Sequence, residues 1–200
     1  MVKAVIFDFG GVVGSDSDAW DINFLEIKKL TGLSCVQLEK FFIKHWKKLK
    51  IGKEDTVDFW KDIITSKNLK IPPEKLEKTY LPKITINNDV LDIVENIKLK
   101  GVLVTLLPNT ARQWMDFKVK KFKLDQIFDK IYSSAHLGIA KPEPEIFEYA
   151  LKDLNLAPEE VIFIDNQQNN VNSAKKLGIK AILFVNSQQL NKDLTNFGIL

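Results

Sequence analysis

Short apolar runs recur along the chain, and most of them end in polar residues. They are rich in β-branched and aromatic side chains, which favour strands. The sequence therefore predicts strands in five places: residues 2–7, 102–107, 131–132, 161–164 and 181–185.

Amphipathic segments separate the later strands. Their apolar residues recur with the spacing of one helix face, and they comprise residues 90–98, 111–122, 144–154 and 170–177. Gly178 follows the last segment and is a natural helix stop. Because strands that alternate with helices are joined by right-handed crossovers, the pattern predicts an α/β fold: a Rossmann-like parallel sheet with helices on both faces.

Residues 15–84 interrupt this alternation, because they contain no strand-like run. Helical spacing is present in residues 23–30, 38–49 and 56–64, and it is broken at Gly32, at Gly52 and at the proline pair 72–73. The stretch is too long for one crossover. We therefore expect two domains: a Rossmann-like core of residues 1–14 and 85–200, and an inserted all-helical cap of residues 15–84.

The composition excludes several classes of protein. With 200 residues, 45% of them hydrophobic and 28% charged, the chain can bury a sizeable core, which argues against disorder. The single cysteine, Cys35, excludes an internal disulfide and a cysteine-based zinc cluster. The net charge of +3 is spread over short lysine clusters without a nucleic-acid-binding module, so we expect no nucleic-acid partner.

The hydrophobic pattern predicts neither a membrane span nor a signal peptide. The longest apolar runs are far shorter than the roughly 20 residues of a membrane-spanning helix, and the first of them is broken at Asp8. We therefore expect a cytoplasmic location and no membrane partner. The sequence does not decide between a monomer and a homodimer.

Polar residues follow three of the predicted strands. Asp8 follows the first strand, Asn109 lies shortly after the second, and Asp165 follows the fourth. Because ligands of open parallel sheets bind beyond the carboxyl ends of the strands, these side chains should converge. Taken alone, a carboxylate after a strand is more often a turn former or a helix cap than a nucleophile.

Four motifs occur in a fixed order along the chain. They are FDFGGVV at residues 7–13, LLPNT at 106–110, GIAKPEP at 138–144 and FIDN at 163–166. This ordered set resembles the haloacid dehalogenase-like hydrolase superfamily, specifically members with a helical cap inserted after the first motif. The resemblance spans nearly the whole chain, and the ordered set is much more specific than any one motif.

The resemblance implies a Mg²⁺-dependent phosphatase that acts on a small phosphorylated metabolite. Asp8 would attack phosphorus to form an aspartyl-phosphate, which water then hydrolyses. Lys141 would supply a fixed positive charge beside the phosphoryl group. Asp8 and Lys141 are thus the implied catalytic residues.

The same resemblance implies the residues that bind Mg²⁺ and substrate. Mg²⁺ is a hard cation that prefers oxygen ligands, and its implied ligands are the Asp8 and Asp165 carboxylates, the Gly10 carbonyl and the Asn166 amide oxygen. Asn109 and Thr110 are the implied substrate-binding residues.

Three positions depart from the usual pattern of the family. Gly10 stands where a second aspartate usually protonates the leaving oxygen, and such help is typically worth about 10²–10⁴-fold. Pro108 replaces a serine or threonine that holds a phosphoryl oxygen, and losing one such donor can cost about 10²–10³ in rate. Asn166 replaces an aspartate, which should lower the affinity for Mg²⁺. These departures leave a second hypothesis open, namely a catalytically degenerate binding or regulatory protein.

The remaining conspicuous side chains have ordinary structural explanations. Arg112, the single arginine, is a helix-surface cation or, alternatively, a substrate contact. His45 is expected to pack on a cap helix, and His136 to make a hydrogen bond in a loop. Five aromatic residues of the predicted cap are expected to form a small apolar core, and alternatively they form a surface that selects the substrate. They are Trp20, Phe24, Trp46, Phe59 and Trp60.

Overall fold

A five-stranded parallel sheet forms the centre of the molecule, which the computed structural model describes over residues 1–15 and 24–200. The strands are β1 (Ala4–Phe7), β2 (Leu103–Leu106), β3 (Lys130–Ile131), β4 (Val161–Asp165) and β5 (Lys180–Leu183). Their order across the sheet is β3-β2-β1-β4-β5, so β1 is central. Phe7 is level with Leu106 on β2 and with Ile164 on β4, so these three strands end along one edge.

Four helices follow β1 in the described part of the insert: α1 (Leu25–Thr31), α2 (Cys35–Leu49), α3 (Thr56–Ser66) and α4 (Pro73–Tyr80). The sequence predicts the first three with shifted ends, and it misses α4 because it treats the proline pair as an interruption. Pro73 is instead the first residue of α4, a position where the missing N–H costs nothing. α2 begins earlier than predicted, because Ser34 and Gln37 form a capping box there.

Seven more α-helices lie in the described part of the fold: α5 (Asn88–Leu99), α6 (Arg112–Phe122), α7 (Leu124–Ile127), α8 (Ser134–Leu137), α9 (Pro144–Leu154), α10 (Gln168–Lys176) and α11 (Ser187–Asn196). Two short 3₁₀ helices, Leu81–Lys83 and Pro158–Glu160, accompany them. α9 has its predicted bounds, and α5, α6 and α10 differ from the prediction by no more than two residues at either end. The prediction lacks α11, whose segment is mostly polar and buries Leu190 and Leu194 four positions apart.

The sheet is covered on both faces. Side chains alternate between the two faces of a strand, and on β1 Val5 and Phe7 belong to one apolar cluster, whereas Ala4 and Ile6 belong to the other. All residues of β1 and β4 are buried. This double coverage explains why these strands are continuous apolar runs, and it confirms the predicted α/β fold.

Aromatic side chains join the inserted helices to the core. Phe24, Phe59 and Trp60 are almost fully buried, as expected for core residues. Their cluster is not confined to the insert, because Trp114 on α6 packs against Phe59 and lies 4.9 Å from the ring of Tyr80. The inserted helices therefore share one apolar core with a face of the sheet. Trp20 lies outside the described residues.

The chain leaves the sheet and returns to it along neighbouring segments. Ser15 N–H donates to the Thr85 carbonyl at 3.1 Å, and Asn87 N–H donates to the Val13 carbonyl at 2.8 Å. These hydrogen bonds lie at the proposed boundary between core (1–14 and 85–200) and cap (15–84), and that division stays a prediction. None of the helices in the described ranges is long and apolar enough to cross a membrane.

Candidate active site

Four polar side chains meet at the edge where the central strands end. Asp8 directly follows β1, Asp165 is the last residue of β4, and Asn109 lies just beyond β2. Lys141 comes from the segment that precedes α9. The structure thus brings together the residues that the strand ends predicted, and it adds the lysine of the third motif.

The Lys141 ammonium lies between two carboxylates. Its Nζ is 2.7 Å from Oδ1 of Asp8 and 2.6 Å from Oδ2 of Asp165. The three side chains are buried, with Asp8 6%, Lys141 1% and Asp165 0% exposed. One buried ammonium therefore faces two buried carboxyl groups, and ionisation of both carboxyls would leave a net negative charge that favours a further cation.

Asn109 fixes the backbone of Lys141. The Asn109 amide nitrogen donates to the Lys141 carbonyl at 2.8 Å, and its amide oxygen accepts from the Lys141 N–H at 2.9 Å. This reciprocal pair holds the lysine so that its ammonium points between the carboxylates. The sequence did not predict this contact, and the substrate contact proposed for Asn109 stays a prediction.

Two groups at the start of α10 fix Asp165. The backbone N–H of Gln167 donates to its Oδ1 at 2.7 Å, and the Asn170 side chain donates to its Oδ2 at 2.9 Å. The Asp165 side chain therefore closes a local turn with the backbone of Gln167. The residue that directly precedes α10 is Gln167 and not Asp165. Asn170 was missed at the sequence level, and its position in the helix directly after the fourth motif is the signal that could have found it.

Burial sets the protonation of the cluster. Burial raises the pKa of Asp8 from its ordinary 3.8 to about 7, with Asp165 adding to the rise and Lys141 opposing it. For Lys141, burial alone would lower the pKa, but the two carboxylates together raise it above the ordinary value. Lys141 is therefore a cation at neutral pH, and a second cation would favour full ionisation of Asp8.

The donor set fits Mg²⁺. Mg²⁺ in proteins is usually held by one or two carboxylates together with waters, and Asp8 and Asp165 offer such oxygens beside the backbone of Gly10, which lines the same cleft. In the described ranges no group of three or more His, Cys, Asp or Glu side chains is placed to hold a metal ion. Asn166 directly follows Asp165 and is half-buried. The assignment of these four residues as ligands stays a prediction.

The second motif is used partly for internal contacts. The Thr110 side chain is buried, and its hydroxyl accepts a hydrogen bond from Nζ of the buried Lys118 at 3.2 Å. The Thr110 N–H donates to Oγ of Ser134 at 3.1 Å, and the Pro108 carbonyl accepts from the Ser134 N–H at 3.1 Å. Lys118 and Ser134 are supporting residues that sequence analysis missed. If Thr110 contacts the substrate through its hydroxyl, as predicted, that hydroxyl also accepts the hydrogen bond from Lys118.

A cleft of about 280 Å³ opens above the buried charges. Its lining includes Asp8, Gly10, Asn109, Thr110 and Lys141 from the predicted site, which places these residues around one cavity. The opposite wall comes from the insert and from α6, and it consists of Phe42, Trp46, Lys50, Tyr80 and Trp114. Of this wall, the sequence singled out Trp46 as a cap aromatic that faces either the core or the cleft.

The other charged side chains considered at the sequence level lie away from the cleft. Arg112 donates to the Ala135 carbonyl at 3.1 Å. His136 makes a hydrogen-bond contact with Ser133 at 3.0 Å, but it lies on α8 and not in the loop expected for it. His45 is buried in the insert, where one ring nitrogen contacts Glu54 and the other lies 2.9 Å from Asp62. None of the three lines the cleft.

Comparison with known proteins identifies similar chains. The family model described as haloacid dehalogenase-like hydrolase matches residues 5–184. The D-ribitol-5-phosphate phosphatase of Bacteroides thetaiotaomicron is 29% identical over 206 aligned positions, which cover 98% of this chain and 98% of that protein. A drimenol cyclase of Aspergillus calidoustus is 41% identical over 83 residues, which cover 40% of this chain and 16% of the cyclase.

A solved structure extends the similarity to three dimensions. The crystal structure of a HAD family enzyme from Bacteroides thetaiotaomicron, in complex with magnesium and inorganic phosphate, is 26% identical to this chain. It aligns with a TM-score of 0.74 over 91% of this chain and 93% of the other. The shared fold therefore includes both the sheet and most of the described insert.

Proposed function

Because this chain belongs to the haloacid dehalogenase-like hydrolase family, we propose that it is a Mg²⁺-dependent phosphatase of a small phosphorylated metabolite. The observation that carries the proposal is the buried cluster of Asp8, Lys141 and Asp165 at the base of a cleft. Asp8 is the nucleophile and Lys141 the charge-stabilising residue. The Mg²⁺ ligands are Asp8, Asp165, the Gly10 carbonyl and Asn166.

The reaction proceeds in two displacements. In the first, an Asp8 oxygen forms a bond to phosphorus, the ester P–O bond breaks, and its electron pair leaves with the alcohol oxygen, which takes a proton from water. In the second, a water oxygen forms a bond to phosphorus, the bond between phosphorus and the Asp8 oxygen breaks, and the proton of the water passes to solvent, which releases phosphate and the free carboxylate. When bound, Mg²⁺ supplies positive charge to the phosphoryl oxygens.

Lys141 assists both displacements with a fixed charge. Its ammonium lies 2.7 Å from Asp8 Oδ1, so it also reaches oxygens of a phosphoryl group that is attached to this carboxylate. Asn109 makes hydrogen bonds to both its backbone N–H and its carbonyl, and Asp165 holds its ammonium at 2.6 Å. A charge that is oriented before the reaction costs no reorganisation during it.

The names of the similar proteins support this assignment. The relative that matches over nearly the full length is a D-ribitol-5-phosphate phosphatase, and the similar solved structure contains magnesium and inorganic phosphate. A small phosphorylated metabolite as substrate, Mg²⁺ as cofactor and a cytoplasmic location without nucleic-acid or membrane partners belong to the same proposal.

A binding or regulatory protein is the second candidate. It is favoured by the second motif, where Pro108 offers no hydroxyl and the Thr110 hydroxyl is bonded to Lys118. A phosphate in the cleft would then be held without efficient turnover, because Gly10 provides no proton for the leaving group.

Turnover of a phosphate panel separates the two candidates. The purified chain is incubated with sugar, acyl and aryl phosphates in Mg²⁺ or in EDTA, and phosphate release is measured. The phosphatase proposal expects release that needs Mg²⁺ and is lost in Asp8→Asn, and activity that survives this change would refute the assigned nucleophile. If the wild type is inactive and the triple variant Gly10→Asp, Pro108→Ser, Asn166→Asp is active, the binding function is favoured.

A further inference from the structure

Aromatic rings line one wall of the cleft above the buried charges. Resting on the proposed function, we infer that the preferred substrate is a phosphate monoester whose leaving group is a small aromatic ring system rather than a polyol. The wall contains four rings, those of Phe42, Trp46, Tyr80 and Trp114, together with the Lys50 side chain. They line the same cavity as Asp8, so a leaving group on a bound phosphate lies beside them.

The four rings form a continuous band. Tyr80 and Trp114 have ring centroids 4.9 Å apart, Trp114 and Phe42 are parallel within 2° at 6.2 Å, and Phe42 and Trp46 stack at 4.8 Å. Tyr80 and Trp114 are each only 3% exposed, so the core fixes them in place. Phe42 and Trp46 are half-buried on α2 and present ring surface to the cleft. Phe42 and Trp46, which pack on the fixed ring of Trp114 or on each other, therefore offer the ring surface on which another ring can stack.

The polar lining is poorly suited to a chain of hydroxyl groups. Both polar atoms of the Asn109 amide are bonded to Lys141, the Thr110 hydroxyl is bonded to Lys118, and the Asn170 amide nitrogen is bonded to Asp165. The exposed amides among the lining residues, Gln167 and Asn169, belong to the start of α10 on the Asp165 side of the cleft. Along the aromatic wall the charged donor is the Lys50 ammonium, so a polyol with several hydroxyl groups would exchange more hydrogen bonds to water than it regains there, at a cost for each unpaired group.

The size of the cleft and the chemistry at Gly10 lead to the same substrate class. A cavity of about 280 Å³ lies at the small end of ligand sites, which suits a phosphate with one ring system. Gly10 has no side chain to protonate the leaving oxygen. When the P–O bond to an aryl oxygen breaks, the electron pair is delocalised into the ring, and the oxyanion leaves without prior protonation and later takes its proton from water.

The test compares substrates whose leaving alcohols have similar basicity, so that ring binding is measured apart from leaving-group ability. Benzyl phosphate carries a ring, and ribitol 5-phosphate carries a polyol. We expect kcat/KM to be at least about tenfold higher for benzyl phosphate, since the ring can stack on the aromatic side chains of the cleft. Trp46→Leu should reduce this preference. Phe41→Leu, an aromatic replacement on the same helix outside the cleft lining, should leave the preference unchanged.

Acetyl phosphate distinguishes failure of this inference from failure of the proposed function. If it is hydrolysed in an Asp8-dependent manner while ribitol 5-phosphate is used as well as benzyl phosphate, the phosphatase assignment stands and the aromatic preference is overturned. If no phosphate is hydrolysed, the phosphatase assignment fails, and the aromatic preference is then tested by the affinities of two phosphonates. Benzylphosphonate must then quench tryptophan fluorescence at lower concentration than methylphosphonate, and equal affinities overturn the inference.

Discussion

Asp8 is expected to destabilise the metal-free protein at neutral and alkaline pH, and its removal should reveal this cost. Its carboxyl is 6% exposed, and its pKa is raised to about 7, above its ordinary value of 3.8. The folded state therefore binds the Asp8 proton more tightly than the unfolded state does. Stability contributed by this group is lost as the pH rises from about 4 to about 7, because unfolding allows the carboxyl to ionise in water.

The magnitude follows from the two pKa values. For pKa values of 3.8 and about 7, linkage gives a cost of about 2 kcal/mol at pH 5 and about 4 kcal/mol at pH 8. Asp8→Asn removes the ionisation but keeps an oxygen that can accept from Lys141. The difference in unfolding free energy between Asp8→Asn and wild type should therefore shift in favour of the variant by roughly 2–3 kcal/mol between pH 5 and pH 8.

The assay is urea unfolding at both pH values in EDTA, followed by circular dichroism. Asp92→Asn, which removes an exposed carboxylate on α5, is the matched control and should show no comparable pH-dependent change. Added Mg²⁺ should stabilise the wild type and have little effect on Asp8→Asn, because a ligand that binds the folded state raises its stability. A difference between Asp8→Asn and wild type that is independent of pH would refute this account of the buried charge.

Three further predictions concern the lysine, the position of the missing acid and a buried histidine. Lys141→Met should lower kcat for acetyl phosphate by at least about 10²-fold, because the fixed charge is lost; steady-state kinetics with a smaller loss would contradict its role. Gly10→Asp should raise kcat for ribitol 5-phosphate by about 10²-fold or more and change that for acetyl phosphate much less, since only the poor leaving group needs a proton; equal effects on both substrates would argue against this explanation. His45→Leu should lower the free energy of unfolding by about 1–3 kcal/mol in urea titrations, because Glu54 and Asp62 lose their shared buried partner; an unchanged unfolding midpoint would show that this cluster contributes little.

The centre of the candidate site was predictable because strand ends impose it. Asp8 and Asp165 follow apolar runs that favour buried strands, and parallel strands bring their carboxyl ends to one edge. The motif that contains Lys141 was likewise visible in the sequence. No local pattern could show that Asn109 would hold the backbone of Lys141, since the two residues are 32 positions apart and their meeting depends on the packed fold.

The helix and the aromatic contacts that the sequence did not predict also depend on features beyond the local hydrophobic pattern. Pro73 begins α4 although proline usually ends helices, and only the position of its N–H at the first turn resolves this ambiguity. The role of Trp114 depends on contacts with α2, α3 and α4, which precede it by many residues. Helical spacing assigned it to an apolar face but could not identify what that face contacts.

The hydrogen bonds that join Ser15 to Thr85 and Asn87 to Val13 have a consequence for how such proteins diversify. The inserted segment starts and finishes at almost the same point, so an exchange of the whole segment for another would leave the path of the remaining chain unaltered. The incoming segment would still need an apolar partner for Trp114. Replacement of the whole segment can therefore change the wall of the cleft and leave the candidate site at the strand ends unaltered, provided that this one tryptophan is covered again.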